Sequence, residues 1–197
     1  ETAQSDATNM YPAFLVLIIV LSYLLLRSVL ASLLSLIIIF LSILPSMGSA
    51  GWLEYQVLPP LIIAPIVILT IALAHAIHIL SIALSNMNEG MQKDVAIIES
   101  MKINFMPVFL TSFTTGVGVA GVNFGNIPAF SEMANAVVFG SLYSFLLSIT
   151  VLPALFMIMP IKSSKKNNLM LPALHTLGNF IFKFKYYVIT IVSLITI

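Results

Sequence analysis

Residues 111–140 read TSFTTGVGVAGVNFGNIPAFSEMANAVVFG, and this stretch decides the fold. It holds an apolar segment rich in threonine and glycine, then a short polar loop, then the start of a second apolar segment. Helices that face lipid are built of Leu, Ile and Val, whereas small and hydroxyl-bearing residues mark contacts between helices. The stretch therefore predicts membrane-spanning helices that touch other helices closely or line a polar path.

The composition of the whole chain places it in a membrane. Of its 197 residues, 60% are hydrophobic and 8% are charged, whereas soluble domains carry about 25% charged residues. The net charge of +1 offers no basic surface for nucleic acid. The absence of cysteine excludes disulfides and thiolate metal sites.

Six apolar segments predict an all-α membrane protein, a bundle of five full transmembrane helices plus the start of a sixth. The full spans are expected over residues 11–26, 29–48, 60–84, 105–124 and 134–159, and the sixth begins near Tyr186. Residues 11–160 would form the transmembrane domain, 1–10 an extracytoplasmic tail, 161–185 a cytoplasmic linker and 186–197 a truncated span. Amphipathic patterns over 87–102 and 173–184 predict connecting helices on the cytoplasmic surface.

The basic residues orient the predicted bundle. All eight lysines and arginines fall on one side of it: Arg27, Lys93, Lys102, Lys162, Lys165, Lys166, Lys183 and Lys185. Because cytoplasmic loops carry an excess of Lys and Arg, this side is predicted to be cytoplasmic and the N-terminus extracytoplasmic.

Two histidines in the third span are the first candidates for chemistry. They lie in AHAIHIL, residues 74–80, where His75 and His78 are spaced to share a helix face. Ionisable groups at membrane depth are costly and seldom face lipid, and histidine titrates near neutral pH. Both residues are therefore candidates for a proton relay, with structural hydrogen bonding to a neighbouring helix as the open alternative.

The fourth span offers hydroxyl groups and small residues. Thr111, Thr114 and Thr115 are further relay candidates, because they could bond across to the histidines, although threonines in membrane helices also bond back to their own backbone. Small residues at helix-contact spacing predict close packing in the fourth and fifth spans: Ser112, Gly116, Ala120, Gly121, Gly125, Ala136, Gly140, Ser144 and Ser148. Pro153 is a hinge candidate near the end of the fifth span, and Glu132 is interpreted as a cap of that helix.

These residues do not support an enzymatic reaction or a metal site. The chain contains no pattern typical of a hydrolase triad, a phosphate-binding loop or a redox site, so neither catalytic residues nor a cofactor are expected. No carboxylate or thiolate in any span could complete a metal site with His75 and His78.

The order of these features resembles one half of the transmembrane domain of resistance-nodulation-division (RND) transporters, closest to the predicted-exporter and MMPL-like branch. The resemblance rests on AHAIHIL, on the block over 111–140, on FLLSITVLPALFMIMP over 145–160, and on the short turn at Arg27. It extends over nearly the whole chain and includes the helix arrangement of sterol-sensing domains.

The resemblance implies a bacterial inner-membrane exporter that uses the proton gradient to move lipids or other hydrophobic compounds. It also implies a periplasmic domain before residue 1 and a second half of the same polypeptide after residue 197. Family members often place a relay aspartate near the position of His75, whereas no Asp or Glu occurs inside any span here. Either His75 replaces that acid, or the second half supplies it, or coupling to protons differs.

Two other functions stay open. The chain could form a non-transporting lipid-sensing or scaffold domain that binds sterol-like molecules, or a protein-export accessory of the SecD/SecF type. Membrane lipids, a hydrophobic substrate and the second half are the expected partners, and a homo-oligomer stays possible.

Overall fold

The structure is a computed structural model that describes residues 2–125 and 127–161, without the side chains of residues 2–11 and 13. All described residues lie in one compact unit, Glu1–Ser164. The predicted linker beyond Ile161, the amphipathic segment over 173–184 and the truncated span over 186–197 fall outside the described residues.

The described chain is largely helical, which confirms the all-α prediction. The helices are α1 (Thr2–Leu26), α2 (Val29–Trp52), α3 (Pro59–Asn88), α4 (Lys93–Ala120), α5 (Pro128–Ile149) and α6 (Val151–Ile158), with a 3-10 turn at Gly121–Phe124 after α4. Helices α3 and α5 both begin with proline, which suits the first helical position because its missing N–H has no partner there.

Four helical segments of the described chain are long and apolar enough to cross a membrane: Val29–Trp52, Pro59–Asn88, Lys93–Phe124 and Pro128–Ile158. The apolar part of α1, Phe14–Leu26, is shorter than these. Residues 2–10, predicted as a tail outside the first span, continue the same helix.

Helix α3 is the centre of the bundle, since it contacts α1, α2, α4 and α5. In the most apolar windows of α2 and α3, 44% of the residues are buried within the chain, against 11% in the window within Lys93–Phe124. The largest core cluster joins α2, α3 and α6 and includes Leu34, Ile38, Ile79, Leu80, Leu152 and Phe156. Residues on α3 are therefore well placed to meet several helices at once.

A two-residue turn joins α1 to α2 as an antiparallel hairpin. Arg27 occupies the left-handed region of backbone space with φ of 46°, and the Ser28 side chain accepts a hydrogen bond from Ala31 N at the start of α2. The hydroxyls of Ser22 and Ser35 lie 2.6 Å apart between the two helices. The hairpin is thus closed by a cap at the turn and a polar contact in its interior.

Residues 93–102 differ from the prediction, because they are the first turns of α4 and not a separate connecting helix. No glycine or proline interrupts the sequence between Lys93 and Asn104, so the helix runs into the span without a break. Pro107 lies inside α4, as is tolerated in membrane helices where neighbouring groups satisfy the freed backbone.

The fifth span is interrupted at Thr150, which separates α5 from α6. Pro153 lies three residues further on. A proline ring clashes with the carbonyl of the residue four positions earlier and donates no hydrogen bond to it, which here is Ile149. This accounts for a break close to the predicted hinge candidate.

Lys93 ties the end of α6 to the start of α4. Its Nζ donates to Met157 O at 3.0 Å and to Met159 O, and it lies 5.5 Å from the centre of the Phe156 ring. The last carbonyls of a helix lack partners within the helix and carry partial negative charge. The ammonium group therefore caps α6 from another helix.

Replacing this cap is expected to loosen α6. In Lys93→Met the carbonyls of Met157 and Met159 lose their donor, and the free energy of unfolding should fall by about 1 kcal/mol. Hydrogen exchange over residues 151–158 should accelerate. The matched control is Lys102→Met, since Lys102 pairs only with exposed Glu99 and such pairs contribute less than about 1 kcal/mol. Equal exchange in both variants would contradict the capping role.

The loops at the opposite end are tied by polar contacts. Glu132 Oε2 accepts from Gln56 N at 3.0 Å, so its carboxylate holds the connection between α2 and α3 and not the start of its own helix. Asn135 Nδ2 donates to Tyr55 OH at 3.3 Å and Asn135 Oδ1 accepts from Asn123 Nδ2 at 2.9 Å. These bonds fix the ends of α2, α4 and α5 relative to one another.

Candidate functional site

His75 lies buried where α3 meets α4 and α5, with 1% of its surface exposed. Its Nδ1 is 2.9 Å from Ser144 Oγ on α5, and its Nε2 is 3.4 Å from Ser112 Oγ on α4. Each ring nitrogen therefore faces one hydroxyl. Because a hydroxyl both donates and accepts, the pair can satisfy either neutral tautomer and the protonated ring.

Small residues along one face of α5 bring this helix close to α3 and to His75. On α5, Ala136, Gly140, Ser144 and Ser148 recur at every fourth position, and the first, third and fourth are fully buried. A Cβ at Gly140 would lie 2.3 Å from Ile68 Cγ1 on α3, so only glycine allows this approach. The predicted packing stripe on α5 is thus also the surface that presents Ser144 to the histidine.

His78 does not share the environment of His75. Its side chain is exposed on the surface of the described bundle, and only its backbone carbonyl accepts a bond, from Ser81 Oγ at 3.2 Å. Residues three apart on a helix lie about 60° from one another around the axis. At the edge of the α3 contact surface, this angle is enough to bury one histidine and expose the other.

The threonines of α4 do not reach the histidines. Thr111 Oγ1 donates to Pro107 O at 2.8 Å and Thr114 Oγ1 to Leu110 O at 2.8 Å, and both side chains are exposed. Thr115 is half-buried. The sequence left open whether these threonines bond to the histidines or to their own helix. Thr111 and Thr114 bond to their own helix, and Ser112 is the α4 residue that contacts His75.

The other predicted packing residues of α4 differ in how closely they approach neighbouring helices. A Cβ at Gly116 would lie 3.5 Å from Ser141 Oγ, in ordinary contact with α5, whereas one at Gly121 would meet nothing within 4 Å. A Cβ at Gly125 would meet only Val122 O, at 3.2 Å, within the same turn. Ala120 is half-buried. Neither Gly121 nor Gly125 is therefore required for a close approach to another described helix.

A second polar group on α4 was missed by the sequence reasoning. Ser100 Oγ donates to Ile79 O on α3 at 2.6 Å, and Asn104 Nδ2 donates to Ser100 O at 2.9 Å. Both side chains are buried. Their signal was present in the sequence, since Ser100, Asn104, Val108 and Ser112 recur at every fourth position and mark the α4 face that packs on α3.

An apolar cleft of about 270 Å³ lies beside the site, between α4 and α5. Its walls include Phe109, Phe113 and Phe145, and the rings of Phe109 and Phe145 meet edge to face at 5.6 Å. Ser112 and Ser141 also line it. Ser112 therefore contacts both His75 and the cleft.

The apolar helices and the buried polar contacts among α3, α4 and α5 define a multi-pass helical membrane protein. The sequence matches the model of the MMPL family over residues 1–175, which is most of the chain. The chain belongs to the MMPL family, within the RND superfamily of transporters. No curated protein and no solved structure matches it.

Proposed function

We propose that this chain is the membrane part of a proton-driven exporter of lipid-like or hydrophobic substrates in the bacterial inner membrane, with His75 as its proton-responsive residue. The observation that carries the proposal is the burial of His75 between Ser112 and Ser144. Ionisable residues at membrane depth mark proton relays in pumps and transporters, and membership of the MMPL family supports a transport role.

The geometry supports a way for protonation to change the bundle. A neutral imidazole donates through one nitrogen and accepts through the other, whereas the protonated ring donates through both. One of the two serine hydroxyls must then turn from donor to acceptor. Since Ser112 is on α4 and Ser144 on α5, protonation of His75 would shift the balance of contacts between α3 and these two helices.

His78 would have a different role from His75. An exposed imidazole at membrane depth needs a polar partner, because lipid offers none. The second half of the transporter, or a second copy of this chain, would provide that partner on the open face of α3. His78 would then connect the buried site to a surface outside this chain.

The test of the proposed function is transport driven by an imposed pH gradient. In liposomes that contain the purified protein, with the extracytoplasmic side acidic, a fluorescent phospholipid analogue should cross faster than without the gradient. A protonophore should abolish the difference, because the gradient is the only energy source present. Equal rates with and without the gradient would contradict proton-driven export.

The cleft between α4 and α5 favours a second candidate, a non-transporting lipid-sensing domain. Its apolar walls suit an alkyl or sterol-like ligand. On this alternative the same fluorescent lipid would bind the protein, and the lipid concentration that gives half-maximal fluorescence quenching would not change with the gradient. The gradient would not speed the movement of the lipid across the membrane. The two candidates therefore give opposite results in the same liposomes.

A further inference from the structure

Ser148 is a buried hydroxyl without a partner. Its side chain is 0% exposed, and its Oγ is the one buried side-chain nitrogen or oxygen atom in the described part of the chain that forms no hydrogen bond. Other hydroxyls on α5 do find partners: Ser141 donates to Val138 O and Ser144 bonds to His75. Buried polar groups are nearly always paired, so this exception needs an explanation.

The position of Ser148 on α5 links it to the histidine site. It lies four residues after Ser144, and residues at this spacing lie one turn apart on the same helix face. That turn leads toward the predicted cytoplasmic end of the bundle. Ser148 therefore extends the row formed by His75 and Ser144 by one more hydroxyl.

Neighbouring helices carry polar groups at the same depth. On α3, Ile79 lies one turn beyond His75 and accepts a bond from Ser100. On α4, the ring of Phe105 lies 6.0 Å from that of Phe145, which places the Asn104 turn beside the turn of α5 between Ser144 and Ser148. Ser100 and Asn104 of α4 thus lie on the same predicted cytoplasmic side of His75 as Ser148.

We propose that Ser148 holds a buried water molecule and that this water continues the hydrogen-bonded chain from His75 and Ser144 toward the cytoplasmic surface. Buried waters occupy such places because they pair with polar groups that would otherwise stay unsatisfied. Water and serine hydroxyls each donate and accept, so the row can pass a proton along its length. As a proton path, this inference rests on the proposed function.

The water site is tested by removing one hydroxyl. Ser148→Ala is compared with Ser42→Ala, a matched control because Ser42 is equally buried but donates to Ile38 O of its own helix. If Ser148 binds water, its loss should leave the melting temperature of the purified protein unchanged or lower. A melting temperature that rises in Ser148→Ala would overturn the water site, since deleting a hydroxyl in dry surroundings removes an unpaired polar group.

The path is tested by proton uptake into liposomes that contain the same variants. Ser148→Ala should slow uptake by roughly 100-fold, the lower end of the range for loss of a proton-transfer group, and Ser42→Ala should not. Unchanged uptake in Ser148→Ala, together with lost uptake in His75→Asn, would overturn the path and leave the proposed function standing. Unchanged uptake in His75→Asn would refute the proposed function and the path with it, while the melting comparison would still decide the water site.

Discussion

His75→Asn is expected to abolish proton-driven transport while the bundle stays folded. Asparagine carries both a donor and an acceptor, so it can still bond to Ser112 and Ser144, the two hydroxyls that face His75. It cannot bind a proton at physiological pH. Gradient-driven movement of a fluorescent lipid in liposomes should fall by about 100-fold or more, the scale of loss for a proton-transfer group.

Two further variants make this result specific. His78→Asn is the matched control, because it makes the same chemical change at an exposed position one turn away, and we expect a smaller loss. His75→Asp should recover part of the transport, since a carboxyl group can carry a proton in place of the imidazole. Full transport in His75→Asn would show that the buried histidine is structural.

Gly140→Ala is expected to be the most destabilising methyl addition among the glycines of the described helices. The new Cβ would lie 2.3 Å from Cγ1 and 2.6 Å from Cδ1 of Ile68. Ile68 is 0% exposed and β-branched, so it cannot rotate away freely. Overpacking of this kind costs about 1–3 kcal/mol, and the melting temperature of the purified protein should fall accordingly.

The chain provides both a control and a rescue for this variant. Gly118 lies in α4, and a Cβ there would meet nothing within 4 Å, so Gly118→Ala should gain up to about 1 kcal/mol from helix propensity. In the background of Ile68→Ala, the change Gly140→Ala should cost less than it does beside Ile68, because the shorter side chain makes room. A stability of Gly140→Ala equal to that of Gly118→Ala would show that α3 and α5 do not depend on this close approach.

The helices were largely predictable, because the length of each apolar segment and the positions of the prolines can be read from a short stretch of sequence. The second span was predicted over 29–48 and α2 runs to Trp52; the third was predicted over 60–84 and α3 runs to Asn88. Residues 93–102 could not be assigned in this way, since an amphipathic pattern fits both a surface helix and the first turns of a span. The continuous helix Lys93–Ala120 decides between them.

The candidate site was predicted only in part. His75 stood out because ionisable residues are rare in spans. Threonines of α4 were candidates for its partners, with bonding to their own backbone as the alternative, and its partners are serines. The inward face of α4 is marked in the sequence only by the recurrence of Ser100, Asn104, Val108 and Ser112 at every fourth position, and packing against α3 and α5 is what identifies it. Thr111 satisfies its hydroxyl within its own helix, which leaves the shorter Ser112 free to face α3.

The two-residue turn at Arg27 also bears on how the protein is made. Leu26 ends α1 and Val29 begins α2, so the connection is too short to let the two helices move apart. So short a turn holds the end of α1 and the start of α2 at the same surface, so we expect neither helix to insert before the other during synthesis. We expect the pair to enter the membrane together, and the predicted cytoplasmic position of Arg27 would keep the bend on the side from which the ribosome delivers the chain.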